Sequence, residues 1–303
     1  MNETVNPAKA GGAAVSSANK INISIKGRQI ELDVPPEIGG VAAQHTSIGG
    51  KFDVMSFLMR FIVLAPLAII VLALFFAISE VTGIIFTIVC ILFVLLLFFK
   101  KETIGIIGTQ GFVMYKFPKR TQSITSGNVY LFKDASELAF PKIIHYLNGV
   151  YTETTFKFCL SNGKNNVYKQ SGQYRNLKEK EGKFGWKYPL LCDIENAWTN
   201  FLMIDLIQRL KTQGFIQFNS KKHLTKNQIE IGNDYLKCGD KKFNKDEIKG
   251  FSFSQGILYI DHINYESKLL GLKTKGDRIK IPVNGMLNRK AFLILLEHLT
   301  SEK

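Results

Sequence analysis

The stretch Phe93–Phe117, FVLLLFFKKETIGIIGTQGFVMYKF, divides the chain, because an uncharged apolar run ends at Lys100 and an alternating, strand-like sequence follows. Upstream, residues 61–78 and 82–99 are two runs of 18 residues without a charge. As helices they would each be about 27 Å long, close to the roughly 30 Å hydrocarbon core of a bilayer. Three residues separate the runs. The sequence therefore predicts a transmembrane helical hairpin within 55–100, with helices at about 57–78 and 82–99; two buried helices in a globular protein are the alternative.

The positions of Lys and Arg around these runs predict an orientation. Lys51 and Arg60 precede the first run and Lys100 and Lys101 follow the second, whereas the short connection between the runs has neither residue type. Because cytoplasmic flanks carry an excess of Lys and Arg, we expect an integral membrane protein with both termini on the cytoplasmic side.

The charge of the chain is confined to its second part. Residues 1–99 contain six Lys/Arg and six Asp/Glu, so residues 100–303 carry the entire net charge of +14. A basic domain is attracted to anionic lipid headgroups, by about 1 kcal/mol for each cation near the surface. Nucleic acid is the other common partner of a basic domain. The sequence has no recognition-helix, zinc-finger or aromatic RNA-binding pattern, and no nucleic-acid partner is expected.

Three segments precede the apolar runs. Residues 1–20 are small and polar and predict a disordered tail. Isoleucines alternate with polar residues on both sides of Lys26-Gly27, which predicts a short β-hairpin over residues 21–35. Residues 36–54 are interpreted as a linker.

The second part of the chain alternates groups of strands with single helices. Strand patterns are followed by DIENAWTNFLMIDLIQRLK, with Asp193 as predicted N-cap, and further strand patterns by NRKAFLILLEHL, with Asn288 as predicted N-cap. FKDASELAF (132–140) is similar to FNKDEIKGF (243–251), which suggests an internal duplication. The predicted units are residues 101–213 and 214–303.

Strands that end in one amphipathic helix resemble the pleckstrin-homology (PH) superfold, and a two-helix hairpin followed by such units resembles the PH-like membrane proteins of bacteria. The resemblance implies a partly open β-barrel plugged by its C-terminal helix, and a location in the bacterial inner (plasma) membrane. The predicted fold class is thus α+β: a transmembrane helical hairpin followed by a cytoplasmic β-rich region of two PH-like units, each a sheet or partial barrel with a C-terminal helix.

The sequence has no GxSxG elbow, phosphate-binding loop or HExxH motif, and its five histidines have no metal-ligand spacing. We therefore expect no enzyme activity, cofactor or metal. A basic stretch with aromatic residues, 174–189, is the candidate for contact with a lipid surface or a partner, with a solvated loop as the alternative; its residues are Lys178, Lys180, Lys183, Trp186 and Lys187. The PH-like resemblance adds Lys116, Lys119 and Arg120, which serve equally well as topology-setting charges.

The sequence is compatible with two functions. The first is a membrane-anchored, non-enzymatic scaffold or regulator that binds anionic lipid headgroups or a protein partner. The alternative is a subunit of an oligomeric channel or a membrane-disrupting effector gated by its cytoplasmic domain, for which a homo-oligomer is required. Uniformly apolar spans favour an anchor over a pore.

Overall fold

The computed structural model describes residues 20–25, 28–47, 101–118, 123–124, 126–148, 150–174, 187–219, 228–267 and 274–301, together with six single positions between 79 and 88. These residues form twenty strands and two complete α-helices. All strand pairs are antiparallel except one short parallel pair. In chain order the elements are β1 (Lys20–Ile25), β2 (Arg28–Asp33), β3 (Val41–Ser47), β4 (Lys101–Gly108), β5 (Gly111–Pro118), β6 (Ser123–Ile124), β7 (Asn128–Leu131), β8 (Glu137–Ala139), β9 (Lys142–Leu147), β10 (Val150–Ser161), β11 (Asn166–Tyr174), α1 (Lys187–Gln213), β12 (Phe215–Phe218), β13 (Ile229–Gly232), β14 (Tyr235–Cys238), β15 (Lys241–Asn244), β16 (Ile248–Ser254), β17 (Ile257–His262), β18 (Glu266–Ser267), β19 (Thr274–Lys275), β20 (Arg278–Pro282) and α2 (Arg289–Ser301).

The first half of the molecule, from β1 to α1 (residues 20–213), is layered around one sheet that is covered on both faces. This sheet has the strand order β3-β4-β5-β7. On one face Ile104 and Tyr115 pack against the sheet β1-β2-β6, and on the other Ile107 and Phe112 pack against α1 and the sheet β11-β10-β8. Side chains of a strand alternate between faces, so a strand buried on both faces needs a continuous apolar run. This requirement explains the sequence GFVMYKF of β5.

The second half, from β12 to α2 (residues 215–301), is a smaller unit that ends with α2 packed in its core. Its sheets have the orders β12-β13-β14-β15 and β16-β17-β20, and β18 pairs with β19 as a separate ribbon. The predicted apolar face of the last helix is confirmed, because Phe292, Leu295, Leu296 and Leu299 are all buried in the core of this unit.

The two halves repeat one order of elements. Each has a four-stranded sheet, then a 3-10 turn (Phe132–Asp134 or Lys245–Glu247), then a second sheet, of four strands in the first half and three in the second, and then an α-helix. The two similar segments, 132–140 and 243–251, contain these turns. Phe132 and Phe243 are both buried at the start of the segments, whereas of the closing pair Phe140 is buried and Phe251 is 44% exposed. This shared order supports the internal duplication suggested by the sequence.

The long helix α1 belongs to the cores of both halves. Its N-terminal part, including Leu190 and Ile194, packs in the first core, and Leu206 packs in the second. The sheet approaches the helix so closely at Gly105 that a Cβ atom there would lie 2.7 Å from Leu190 Cδ1. The helix begins at Lys187, six residues before the predicted N-cap Asp193.

A hydrogen-bond cluster centred on Asn288 joins β8, α1 and the start of α2. Asn288 Oδ1 accepts from Trp198 Nε1 at 3.0 Å and from the Leu138 backbone N–H at 2.9 Å. Its Nδ2 donates to the Ser136 carbonyl oxygen at 3.3 Å, and its own N–H donates to the Leu138 carbonyl oxygen at 2.8 Å. Asn288 precedes α2 as predicted, but its side chain binds the first half instead of the N–H groups of α2.

The predicted fold class is wrong. The described residues are mostly antiparallel sheet, and no helix among them is long and apolar enough to cross a bilayer. Helix α1 has 27 residues, but charged residues such as Asp193, Asp205 and Arg209 interrupt its apolar sequence. An uncharged apolar run is a hydropathy criterion that a spanning helix must meet, and meeting it does not establish the helix.

Most of the predicted transmembrane hairpin lies outside the described residues. Of the spans 57–78 and 82–99, only Ile84, Ile85, Thr87 and Ile88 are described, and their backbone is helical. The finding on helix length and hydropathy also overturns the prediction of an integral protein of the bacterial inner membrane with both termini cytoplasmic.

The Asn288 cluster gives a stability prediction. Asn288→Ala leaves the N–H groups of Trp198 and Leu138 without their acceptor, and should lower the free energy of unfolding by about 2–4 kcal/mol. Asn148 is the matched control, because it also has a left-handed backbone (φ 51° against 53°). Asn148→Ala should cost only about 1–2 kcal/mol of backbone strain. Urea unfolding followed by circular dichroism measures both losses, and equal losses would show that the side-chain hydrogen bonds contribute nothing.

Candidate functional site

A cleft of about 430 Å³ opens on the surface of the first half, between the sheet β3-β4-β5-β7, the strand β11 and the first residue of α1. This volume is within the range of small-molecule sites. Its lining contains three lysines and no acidic residue. The lining residues are Thr103, Met114, Lys116, Asn128, Tyr130, Asn166, Val167, Tyr168, Lys169, Gln170 and Lys187.

The three lysines reach the cleft from three different elements. Lys116 is an exposed residue near the end of β5, in a run that is otherwise buried from Phe112 to Phe117, and it lies opposite Thr103 of β4. Lys169 lies on β11 and Lys187 is the first residue of α1. Among the described residues none of the three ammonium groups forms an ion pair or a hydrogen bond. Their positive charges are therefore available to a ligand.

The start of α1 adds to the positive potential of the cleft. The first turn of this 27-residue helix has no acidic residue, and its third residue is Pro189. The N-terminus of a helix carries a partial positive charge of about half an elementary charge. In the absence of an acidic side chain in that turn, this charge reinforces the one on Lys187.

Two tyrosines that line the cleft, Tyr130 and Tyr168, pack on the buried ring of Phe112. The rings of Phe112 and Tyr130 stack at 5.0 Å, and Tyr168 meets both of them edge-on at 5.0 Å. Burial, with a smaller contribution from Tyr130, raises the pKa of Tyr168 to about 12. The hydroxyl of Tyr168 therefore stays protonated at neutral pH and is a hydrogen-bond donor.

Amide side chains complete the polar lining. Asn166 Oδ1 accepts a hydrogen bond from Cys159 Sγ at 2.9 Å, so its NH₂ group is left as the donor. Gln170 Nε2 donates to the Ser171 carbonyl oxygen at 2.9 Å. Asn128 lies at the start of β7 beside Met114. Lysine, tyrosine and amide donors without a carboxylate are the chemistry of an anion-binding site.

The structure brings together two of the residues predicted from sequence. Lys116 and Lys187 both line the cleft, although they were assigned to two separate candidate surfaces. The other predicted residues lie outside the described residues: Lys119, Arg120, Lys178, Lys180, Lys183 and Trp186. Lys169, Tyr130 and Tyr168 were missed. Their strand patterns show which face each side chain occupies, but nothing in the sequence shows that β11 lies beside β5 and β7.

Two other polar groupings fit an anion less well. A shallower depression of about 750 Å³ in the second half is lined by Asp234, Asn244, Lys245 and Asp246, where two carboxylates oppose a single lysine. His45 Nε2 lies 2.7 Å from Asp193 Oδ2 and ties β3 to α1. Within the part of the chain that the structure describes, no group of three or more His, Cys, Asp or Glu residues is placed to hold a metal ion.

Comparison with known proteins adds no family assignment. The chain matches no protein-family model and no curated protein sequence. The interpretation of the cleft therefore depends on its own geometry and charge.

The raised pKa of Tyr168 predicts a loss of stability at alkaline pH. The pKa is about 12 in the folded protein and 10 ordinarily, so the contribution of Tyr168 is complete below pH 10 and is lost as the pH rises through 12. The free energy of unfolding of Tyr168→Phe should fall less than that of the wild type over this interval. Tyr146→Phe, which changes a tyrosine that is 63% exposed, should follow the wild type. Urea unfolding at several alkaline pH values measures the difference, and parallel curves for wild type and Tyr168→Phe would contradict the prediction.

Proposed function

We propose that this protein is a non-enzymatic binding protein, a scaffold or regulator, whose cleft takes a phosphate-bearing anionic group such as a lipid headgroup. The observation that carries the proposal is the convergence of Lys116, Lys169 and Lys187 on one cleft that has no acidic residue in its lining. Lysine binds phosphate as a point charge and does not require the planar geometry that arginine imposes. The net charge of +14 adds a long-range attraction for any anionic ligand.

The arrangement suggests how a phosphate-bearing ligand is held. Ammonium groups on β5, β11 and α1 surround the cleft and would neutralise a charge placed between them. The Tyr168 hydroxyl and the Asn166 amide, which belong to residues lining the cleft, would donate hydrogen bonds to phosphate oxygens. The rings of Tyr130 and Tyr168 offer an apolar surface to the organic part of the ligand. No bond of the ligand needs to be broken, and the cleft lining has no histidine, cysteine or carboxylate to act as nucleophile or base.

We also propose that each half is a PH-like module. The proposal is supported in the second half by four antiparallel strands, three further strands and a C-terminal helix packed in the core. The first half has the same order of elements, ending in α1. In this proposal the anion cleft belongs to the first module, and the second module supports the C-terminal part of α1.

A charge-matched substitution tests the cleft. Replacing Lys116, Lys169 and Lys187 together by Gln should weaken the binding of glycerophosphate about a hundredfold, taking roughly 1 kcal/mol for each lysine. The control replaces Lys211, Lys237 and Lys275 by Gln, three exposed lysines outside the cleft that remove the same net charge. Isothermal titration calorimetry measures both affinities. If the control loses as much affinity as the cleft variant, binding is a general effect of charge and the cleft proposal is wrong.

A second measurement distinguishes the source of the phosphate group. Co-sedimentation with vesicles of phosphatidylglycerol and phosphatidylcholine, repeated with competing glycerophosphate, separates a lipid headgroup from a soluble ligand. Binding to vesicles that the cleft variant loses and glycerophosphate displaces supports a headgroup. Binding of glycerophosphate alone supports a soluble phosphorylated ligand. If neither probe binds the wild type, the proposed function is overturned.

A further inference from the structure

The hairpin formed by β9 and β10 extends beyond the sheet to which it belongs. Strand β10 pairs with β9 from Val150 onward, but its pairing with β11 begins only at Thr154. Residues 145–147 and 150–153, here called the arm, thus form a two-stranded ribbon with no further strand beside it in the described part of the chain. Ile143 and Ile144 lie just below the arm, where β10 is also paired with β11. A ribbon of two strands has too few neighbours to bury its own apolar side chains.

The tip of the arm is apolar on both faces. Leu147 lies opposite Val150 on one face, and Tyr146 lies opposite Tyr151 on the other, where their rings meet edge-on at 6.3 Å. Residues opposite each other in an antiparallel pair share a face, and successive residues alternate. Tyr146, Leu147 and Val150 are exposed by 63% to 67%, and Ile143 and Ile144, just below the arm, by 57% and 52%.

This two-sided character restricts what can cover the arm. A docked protein surface buries one face of a ribbon and leaves the other in water. An apolar medium that surrounds the arm buries both faces together. The interfacial region of a lipid bilayer is such a medium, and tyrosine is enriched there because its ring is apolar and its hydroxyl is polar.

The distribution of charge agrees with a lipid surface. Between Lys142 and Lys157 the chain has one acidic residue, Glu153, and no further lysine or arginine. The two lysines lie below the arm, on the side of the sheet. The chain as a whole carries +14, which attracts it to anionic lipid and opposes close approach of a second copy.

The second half shows that the fold does not require the arm. Strand β17 occupies the position of β10 in the order of elements, but it has 6 residues where β10 has 12. The hairpin β16–β17 closes directly at Gln255-Gly256. The additional length of β10, which forms the arm, is therefore not required by the order of elements that the two halves share.

We propose that the arm is a wedge that inserts its tip, Leu147 and Val150 with the Tyr146–Tyr151 pair, into the interfacial region of an anionic bilayer. This contact is separate from the anion cleft and does not depend on which phosphate-bearing ligand the cleft takes.

Serine substitution at the tip tests the wedge. Leu147→Ser with Val150→Ser should lower partitioning of the full chain onto phosphatidylglycerol–phosphatidylcholine vesicles by about tenfold, since apolar burial at the tip is lost. The decrease should persist at high salt, because salt screens charges and leaves apolar transfer in place. Ile204→Ser with Ile207→Ser is the matched control, since both residues are exposed on α1. Co-sedimentation at low and high salt measures all three proteins, and glycerophosphate affinity should be the same in each.

A fluorescent label gives a direct reading of insertion. Val150→Cys, carrying an environment-sensitive dye in a chain whose native cysteines are replaced by alanine, should shift to the blue on adding vesicles and be quenched by brominated acyl chains. The same dye at Lys211→Cys should do neither. An unshifted dye at position 150, or tip substitutions without effect on partitioning, would overturn the proposal. So would a dimer in sedimentation equilibrium that the tip substitutions abolish, because the arm would then pair with a second copy.

Discussion

The hydrogen bond from Trp198 Nε1 to Asn288 Oδ1 fixes how the two halves of the molecule meet. Trp198 lies in the middle of α1, packed against Phe132 at 5.8 Å, and Asn288 precedes α2. The same amide oxygen accepts from β8, so three elements are held by one side chain. A left-handed backbone at Asn288 is what turns this side chain away from its own helix. Asparagine is one of the few residues other than glycine that adopt this conformation at low cost.

Because α1 extends through both cores, one helix joins the cleft of the first half to the core of the second. The helix is about 40 Å long at roughly 1.5 Å per residue. Lys187 at its start lines the cleft, while Leu206 near its other end is buried in the second core.

The sequence was sufficient for elements whose patterns are local. Alternating isoleucines marked the hairpin β1–β2, and the apolar stripe of Phe292, Leu295 and Leu299 marked α2. The start of α1 could not be predicted from the local sequence. Asp193 has the sequence position of an N-cap, but packing of Leu190 and Leu191 in the first core extends the helix to Lys187, and Asp193 binds His45 instead. Tertiary burial outweighed the capping preference at this position.

The anion cleft was predictable only in part, because it is assembled from distant segments. Lys116 and Lys187 were recognised as basic residues, but their convergence depends on the packing of β11 and α1 against β5. Hydropathy likewise predicted a membrane hairpin from residues 61–78 and 82–99, and the described residues contain no helix of that kind. A hydropathy pattern depends on side-chain chemistry alone, whereas a fold class also depends on which segments pair.

The pairing of β3 with β4 has a consequence for how this chain can vary. Ser47 and Thr103 are partners across the sheet, so residues 48–100 leave and rejoin it at adjacent points. In the second half Phe218 and Ile229 are partners at the corresponding connection, between the first and second strands. In both halves the long connection thus joins two strands that are hydrogen-bonded to each other. Residues can be gained or lost within this connection while the two strands stay paired.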